Sequence, residues 1–201
     1  MSPTNAPDTL DVRDKILATG QRIMGGKGFS AVGLNEVLTS AGVPKGSFYH
    51  YFGSKDAFGE ALLEDYFEGY LAEMDRTFRQ AGRTKAQQLA EYFQAWRDNQ
   101  SFDDCQGKCL AVKLGAEVAD LSEAMRAALK RGTSGIVARL AAAIEAGVDD
   151  GSLSIDGTPA SVAQSLYQLW LGASVMVKIV RTIQPFDNAL GTTQQMLHHP
   201  R

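Results

Sequence analysis

The chain has 201 residues, 44% of them hydrophobic and 21% charged, with a formal net charge of −3. That length allows one large domain, or a small one beside a medium one, with a sizeable core. So mild a charge excludes a generic polyanion binder, but it is unevenly spread: residues 1–55 carry +2 and the remainder −5. A mildly basic head on an acidic body suits a small nucleic-acid module on a neutral scaffold. The two cysteines, Cys105 and Cys109, lie too close in sequence to staple a fold. With no secretory signal ahead of them, a reducing cytoplasm is the expected location. The uncharged stretch 157–177 has the length of a membrane span, but Ser161, Gln164, Ser165, Gln168 and Ser174 interrupt it. It also lacks a Lys/Arg flank asymmetry, so no membrane association is expected.

In chain order, residues 1–9 contain Pro3 and Pro7 without an apolar period and read as a disordered arm. Val12, Ile16, Leu17, Ile23 and Met24 fall at helical spacing and predict a helix over 11–27, ended by Gly25, Gly26 and Gly28. A short helix follows over 34–41, closed by Gly42, and Pro44 starts a third over 45–52. Ser54 is placed to cap a fourth, a long periodic run to residue 79. Gly82 and Thr84 separate it from a helix over 85–100, after which the polar stretch 101–107 reads as a break. Helices over 108–119, 122–149 and 159–183 complete the body, with Ser122 and Thr158 as caps and Pro159 at a first helical position. Pro185 opens a last, weak helix. No segment sustains strand alternation, so the fold class is all-α.

The most informative stretch is 41–55, AGVPKGSFYHYFGSK. A glycine turn between two short helices is the pattern of a helix-turn-helix unit, whose second helix enters the DNA major groove. That helix carries Lys45, Gly46 and Ser47 at its front, where small residues let the backbone approach the duplex and Lys45 can reach guanine acceptors or a phosphate. Tyr49 and His50 supply donors suited to phosphate, and Lys55 opens the next helix, where free N–H groups also favour phosphate. Phe48 and Phe52, spaced i and i+4, share a face and should anchor the helix in the core.

This ordering of small, basic and aromatic residues resembles the recognition helix of the TetR/AcrR family of bacterial transcriptional repressors. The resemblance runs from about Asp11 to Tyr66, and as a fold over the whole chain. It implies an N-terminal three-helix DNA-binding domain with the helix-turn-helix at 10–56 and a C-terminal helical ligand-sensing and dimerisation domain at 57–201. By it, Lys45, Gly46, Ser47, Tyr49, His50 and Lys55 contact double-stranded operator DNA, with Asn35 adding a base or phosphate contact and Tyr51 a weaker candidate. Gly33 departs from the family pattern, which has Thr or Ser there to cap the second helix and touch phosphate. The last two long helices are expected to pair with those of a second copy, which the uncharged stretch 157–177 suits.

Two separated runs in the body, 109–126 and 166–190, resemble the NemR-type branch of the family, repressors of N-ethylmaleimide reductase genes. That resemblance implies release of DNA by a small electrophile or oxidant reacting at Cys109. The residues point the same way: Cys109 stands near a predicted helix start beside Lys108, with Lys113 one turn on, a setting that favours a thiolate. Cys105 follows Asp103 and Asp104 and is at most a resolving partner. Lys178, the first charge after Asp156, is either a rim residue or a partner that stabilises the thiolate or its oxidised form. Phe93, Trp96, Tyr167 and Trp170 are either cavity lining or ordinary core or dimer packing.

Three rival readings remain. A thiol-dependent enzyme lacks a base, since His50 lies in the DNA motif and His198 and His199 sit at the tail. A metal sensor lacks a recognised ligand spacing. A regulator that responds to a non-covalent ligand is the closest alternative. No cofactor and no metal are expected.

Overall fold

Helix ends in this chain are set by local chemistry. A computed structural model describes residues 9–105 and 109–198, with side chains over 12–99 and 109–198. Its helices are α1 (Thr9–Lys27), α2 (Leu34–Ala41), α3 (Lys45–Tyr51), α4 (Lys55–Thr77), α5 (Lys85–Cys105), α6 (Leu110–Leu121), α7 (Glu123–Asp149), α8 (Pro159–Val180) and α9 (Gln184–Met196). Among the described residues the only extended pairing is an isolated bridge between Ser154 and His198, and the architecture is all-α. The Ser54 hydroxyl accepts the Ala57 N–H at 3.0 Å and so caps α4. Ser122 caps α7 through the Met125 N–H, and Thr158 forms a capping box with Ser161 ahead of Pro159.

Several boundaries differ from the sequence reading. Gly25 and Gly26 lie inside α1, and the stop is Gly28, whose φ of 96° only glycine adopts without strain. The break expected at 101–107 does not begin at residue 101, because α5 continues to Cys105. No Gly or Pro stands in 101–105 to end it. α8 stops at Val180, short of residue 183, where Arg181 turns left-handed with φ 55° and returns its N–H to the Val177 carbonyl. α9 is anchored by buried Phe186, Ala189 and Thr193. Of the expected disordered arm, residues 1–8 lie outside the described residues, and Thr9 opens α1.

α1–α3 form a head around Phe48, and α4 belongs to both head and body. Its first turns press on α1 so closely that a Cβ at Gly20 would meet Phe58 at 2.5 Å and Leu62 at 2.9 Å. Further along, Gly59 faces Met125 of α7 and Phe29, and Phe67 lies directly against Gly132 of α7. Asp75 and Arg139 join the same two helices by a fork of hydrogen bonds, 2.7 and 3.1 Å long. That guanidinium holds the Asp75 carboxyl below its ordinary pKa, first through the hydrogen bonds and then through its charge.

In the body, α7 packs against α4, α5, α6 and α8. Trp170 is fully buried, stacked between Phe93 and Phe186 with centroids 5.0 and 5.7 Å away. Its indole N–H donates to the Thr193 hydroxyl at 2.9 Å, and that of Trp96 to the Ser174 hydroxyl at 3.0 Å. Phe93, Trp96, Tyr167 and Trp170 are therefore core residues. Of these, Phe93 also borders a cavity of about 540 Å³ between α5, the α7–α8 turn and α9.

The packing at Gly132 leads to a prediction. Gly132→Ala drives a methyl into the Phe67 ring and should lower stability by about 1–3 kcal/mol, although alanine is the better helix former. Gly69→Ala, on an open face of α4, should be neutral or stabilising by up to about 1 kcal/mol. Urea unfolding at one fixed protein concentration separates the two.

Candidate nucleic-acid interface and thiol site

The turn between α2 and α3 is built on Gly42, which adopts φ 64° and ψ 35° and closes α2 through its N–H. The Val43 N–H returns to the Leu38 carbonyl at 3.0 Å, and Pro44 sets the extended residue from which α3 starts. Phe48 is fully buried, with Phe52 and Phe58 rings 5.2 and 5.5 Å from its own. Pinning that face leaves the other face of α3 outward. Lys45, Gly46, Tyr49 and His50 are exposed there, Ser47 is half-buried, and Asn35 is exposed on α2. Asn35 and Lys45 also border a shallow hollow over the turn. Tyr51 is half-buried, its ring edge-on to His50.

Gly33 is extended at the start of α2, with no side-chain cap, and closes the helix through its carbonyl alone. Lys55 is more engaged than its position in the sequence suggests. Its ammonium donates to the Phe29 carbonyl at 2.9 Å and sits 4.6 Å from the centre of the Phe29 ring. One of its three donors thus serves the chain's own α1–α2 loop.

Cys109 is the N-cap of α6, one position before the helix, with φ −69° and ψ 109° and no side-chain cap bond. Its carbonyl receives the Lys113 N–H at 3.0 Å. The half-buried thiol takes a hydrogen bond from the Tyr66 hydroxyl of α4, 3.7 Å from the sulfur. Behind Tyr66 stands a tyrosyl layer that sequence reasoning did not anticipate. The Tyr66 and Tyr70 rings are 6.1 Å apart, the Tyr70 and Tyr92 hydroxyls are 2.9 Å apart, and Tyr167 packs against Trp96. Burial, and then the neighbouring thiol, push the Tyr66 hydroxyl well above the ordinary phenol pKa; Tyr70, Tyr92 and Tyr167 are raised too, chiefly by burial. All four stay protonated at neutral pH. The i, i+4 spacing of Tyr66 and Tyr70 on α4 was the available signal.

Lys178 is half-buried on α8, one turn beyond the Ser174 that holds Trp96. Lys108 and the Cys105 side chain lie outside the described residues, although the backbone of Cys105 ends α5. His198 pairs with Asp156 at 3.4 Å, while His199 lies outside the described residues. Among the described residues no group of three or more His, Cys, Asp or Glu could hold a metal ion. None of the described helices is long and apolar enough to cross a membrane.

Comparison with known proteins agrees with this arrangement. Residues 16–62 match the model of bacterial regulatory proteins of the tetR family, and residues 86–193 match the tetracyclin repressor-like C-terminal domain. Over 190 residues the chain is 40% identical to the HTH-type transcriptional repressor NemR of Escherichia coli (strain K12), spanning 94% of this chain and 96% of that protein. It is 31% identical over 177 residues to the transcriptional regulator AcuR of Cereibacter sphaeroides, spanning 88% and 81% of the two chains. The crystal structure of reduced E. coli NemR superposes with a TM-score of 0.90 at 41% identity, covering 94% of this chain and 98% of that one. With a recognition-type helix presented by a three-helix head and both family models matched in order, the chain belongs to the TetR family of bacterial transcriptional regulators.

Proposed function

We propose that the chain works as a homodimeric repressor that leaves its operator when a small electrophile or oxidant reacts at Cys109. The observation that carries this reading is the hydrogen bond from Tyr66 to the Cys109 sulfur, which joins the N-cap of α6 to α4, the helix that enters the head. Alkylation replaces the thiol proton with a carbon group, and oxidation adds oxygen. Either one adds bulk where α6 begins and changes the acceptor that the Tyr66 hydroxyl meets. Tyr66 stands near the middle of α4 (Lys55–Thr77), about 16 Å from its start at 1.5 Å per residue, so a small tilt at that point becomes a displacement of the head.

The DNA contacts proposed are Asn35, Lys45, Gly46, Ser47, Tyr49 and His50, with Lys55 offering phosphate the donors that Phe29 leaves unused. A dimer is supported by the exposed apolar strip Val175, Met176, Ile179 and Val180 on α8. Two heads then meet half-sites about one DNA turn, roughly 34 Å, apart. In this reading Lys178 stabilises the thiolate or its oxidised form, and Cys105 serves as the resolving thiol.

A second reading, a repressor released by a non-covalent ligand, draws support from the cavity beside Phe93, which is of ligand size at about 540 Å³. Anisotropy on DNA from the gene's own upstream region, with and without N-ethylmaleimide, separates the two. Wild type should release operator on treatment while Cys109→Ser holds it. Matching behaviour of the two proteins, with binding intact before treatment, would reject Cys109 as the sensor. Lys178→Met should slow alkylation of Cys109; an unchanged rate removes Lys178 from the mechanism.

The interface has its own test. Lys45 occurs twice in the dimer, so Lys45→Ala should weaken operator binding and reduce the slope of log affinity against log salt by about 2 if each Lys45 meets a phosphate. If Lys45 reads guanine instead, discrimination at one base pair should fall by about 1–3 kcal/mol. Unchanged affinity and slope would remove Lys45 from the interface.

A further inference from the structure

Glu117 lies on α6, eight residues after Cys109, yet its carboxylate serves the head. Oε2 accepts the Phe29 N–H at 3.1 Å and Oε1 accepts the Ser30 N–H at 2.6 Å. These amides belong to the α1–α2 loop, where no helix supplies an acceptor. Gly28 makes room for the contact, since a Cβ there would stand 3.0 Å from Oε2. The same loop is also held by Lys55, through the Phe29 carbonyl and ring. Lys27 and Glu36 pair across its two ends. Burial works to raise the Glu117 pKa, but bonds from Ser30 and Phe29 and the charge of Lys113 outweigh it and hold the carboxyl below its ordinary value. At neutral pH the acceptor is ionised, and such bonds are roughly twice as strong as neutral ones.

A loop that only needed its amides satisfied could use a nearby Asp, Asn or Ser. Here the acceptor comes from a residue 87 and 88 positions away, on a helix of the body. α6 also touches α1 at its start, where Leu110 would stand 3.3 Å from a Cβ on Gly25. The body therefore grips the head at two points along α6. The loop gripped leads directly into α2 and the DNA-facing α3.

We propose that Glu117 is a positioning residue for DNA binding: its carboxylate clasp on the α1–α2 loop fixes the angle at which each head is carried, so that operator affinity depends on a side chain that touches no DNA. This rests on the reading of the chain as a repressor with two heads on one operator, and not on the chemistry of Cys109.

The test uses the full-length protein and compares wild type, Glu117→Ala and Glu117→Gln by anisotropy on three duplexes: the full operator, one isolated half-site, and an operator with its half-sites moved one base pair apart. The clasp predicts that Glu117→Ala loses tenfold or more on the full operator, changes less than twofold on the half-site, and discriminates less between the two spacings. Glu117→Gln keeps one carbonyl acceptor and should lie between, with a loss confined to the full operator; it decides the matter if Glu117→Ala does not fold. Faster amide hydrogen exchange at Phe29 and Ser30 should accompany the loss. Wild-type affinity of both variants for the full operator overturns the proposal, as does an equal loss on half-site and full operator, which marks damage to the head itself. Failure of the wild type to bind any of the duplexes overturns the two-headed repressor reading and the clasp with it.

Discussion

The close approach of α4 to α7 is the constraint on which the rest of the molecule depends. Phe67 against Gly132 and Met125 against Gly59 leave no space for a side chain at either glycine. The Asp75–Arg139 fork fixes how the two helices register along their length. Close-packed interiors do not deform continuously; they shift between discrete arrangements. Because α4 also packs its first turns on Gly20 of α1, one rigid rod joins head and body in a single continuous core. The head is thus not a bead on a linker, and its orientation is a property of the body.

The thiol environment fits that mechanics. Cys109 is placed neither deep in the core nor free on the surface, but at a seam where α6 starts beside α4. Burial raises the tyrosyl hydroxyls near it further above an already alkaline phenol pKa, and they are protonated donors across the neutral range. Their folded-state pKa values exceed those of the unfolded chain, so the packing they represent is fully present below the ordinary phenol value of about 10 and is weakened only as alkali ionises the unfolded chain.

Most of the fold was legible because helix ends are written in short-range chemistry. Ser54, Ser122, Thr158 and Gly42 each act on residues within a few positions, and each does what its type predicts. Polarity alone suggested a break at 101–107, but no Gly or Pro stands in 101–105, and α5 continues to Cys105. In the candidate site, the outward face of α3 followed from the aromatic spacing of Phe48 and Phe52. The partners of Lys55, Tyr66 and Glu117 did not, because Phe29, Cys109 and Ser30 are 26, 43 and 87 positions away from them. Such pairings exist only once the helices are packed, and no local pattern announces them.

The two indoles of the chain have an optical consequence. Trp96 and Trp170 are its only tryptophans, and both are buried in the body with centroids 5.8 Å apart. Their N–H groups end on Ser174 and Thr193, the first of them one turn before Lys178. Indole fluorescence, excited beyond the tyrosine absorption band, therefore arises from this one pair in the body, and the DNA-reading head, whose aromatic residues are Tyr and Phe, adds nothing to it. Any change in that signal when operator binds is a report sent from the head into the body, obtained with no label attached.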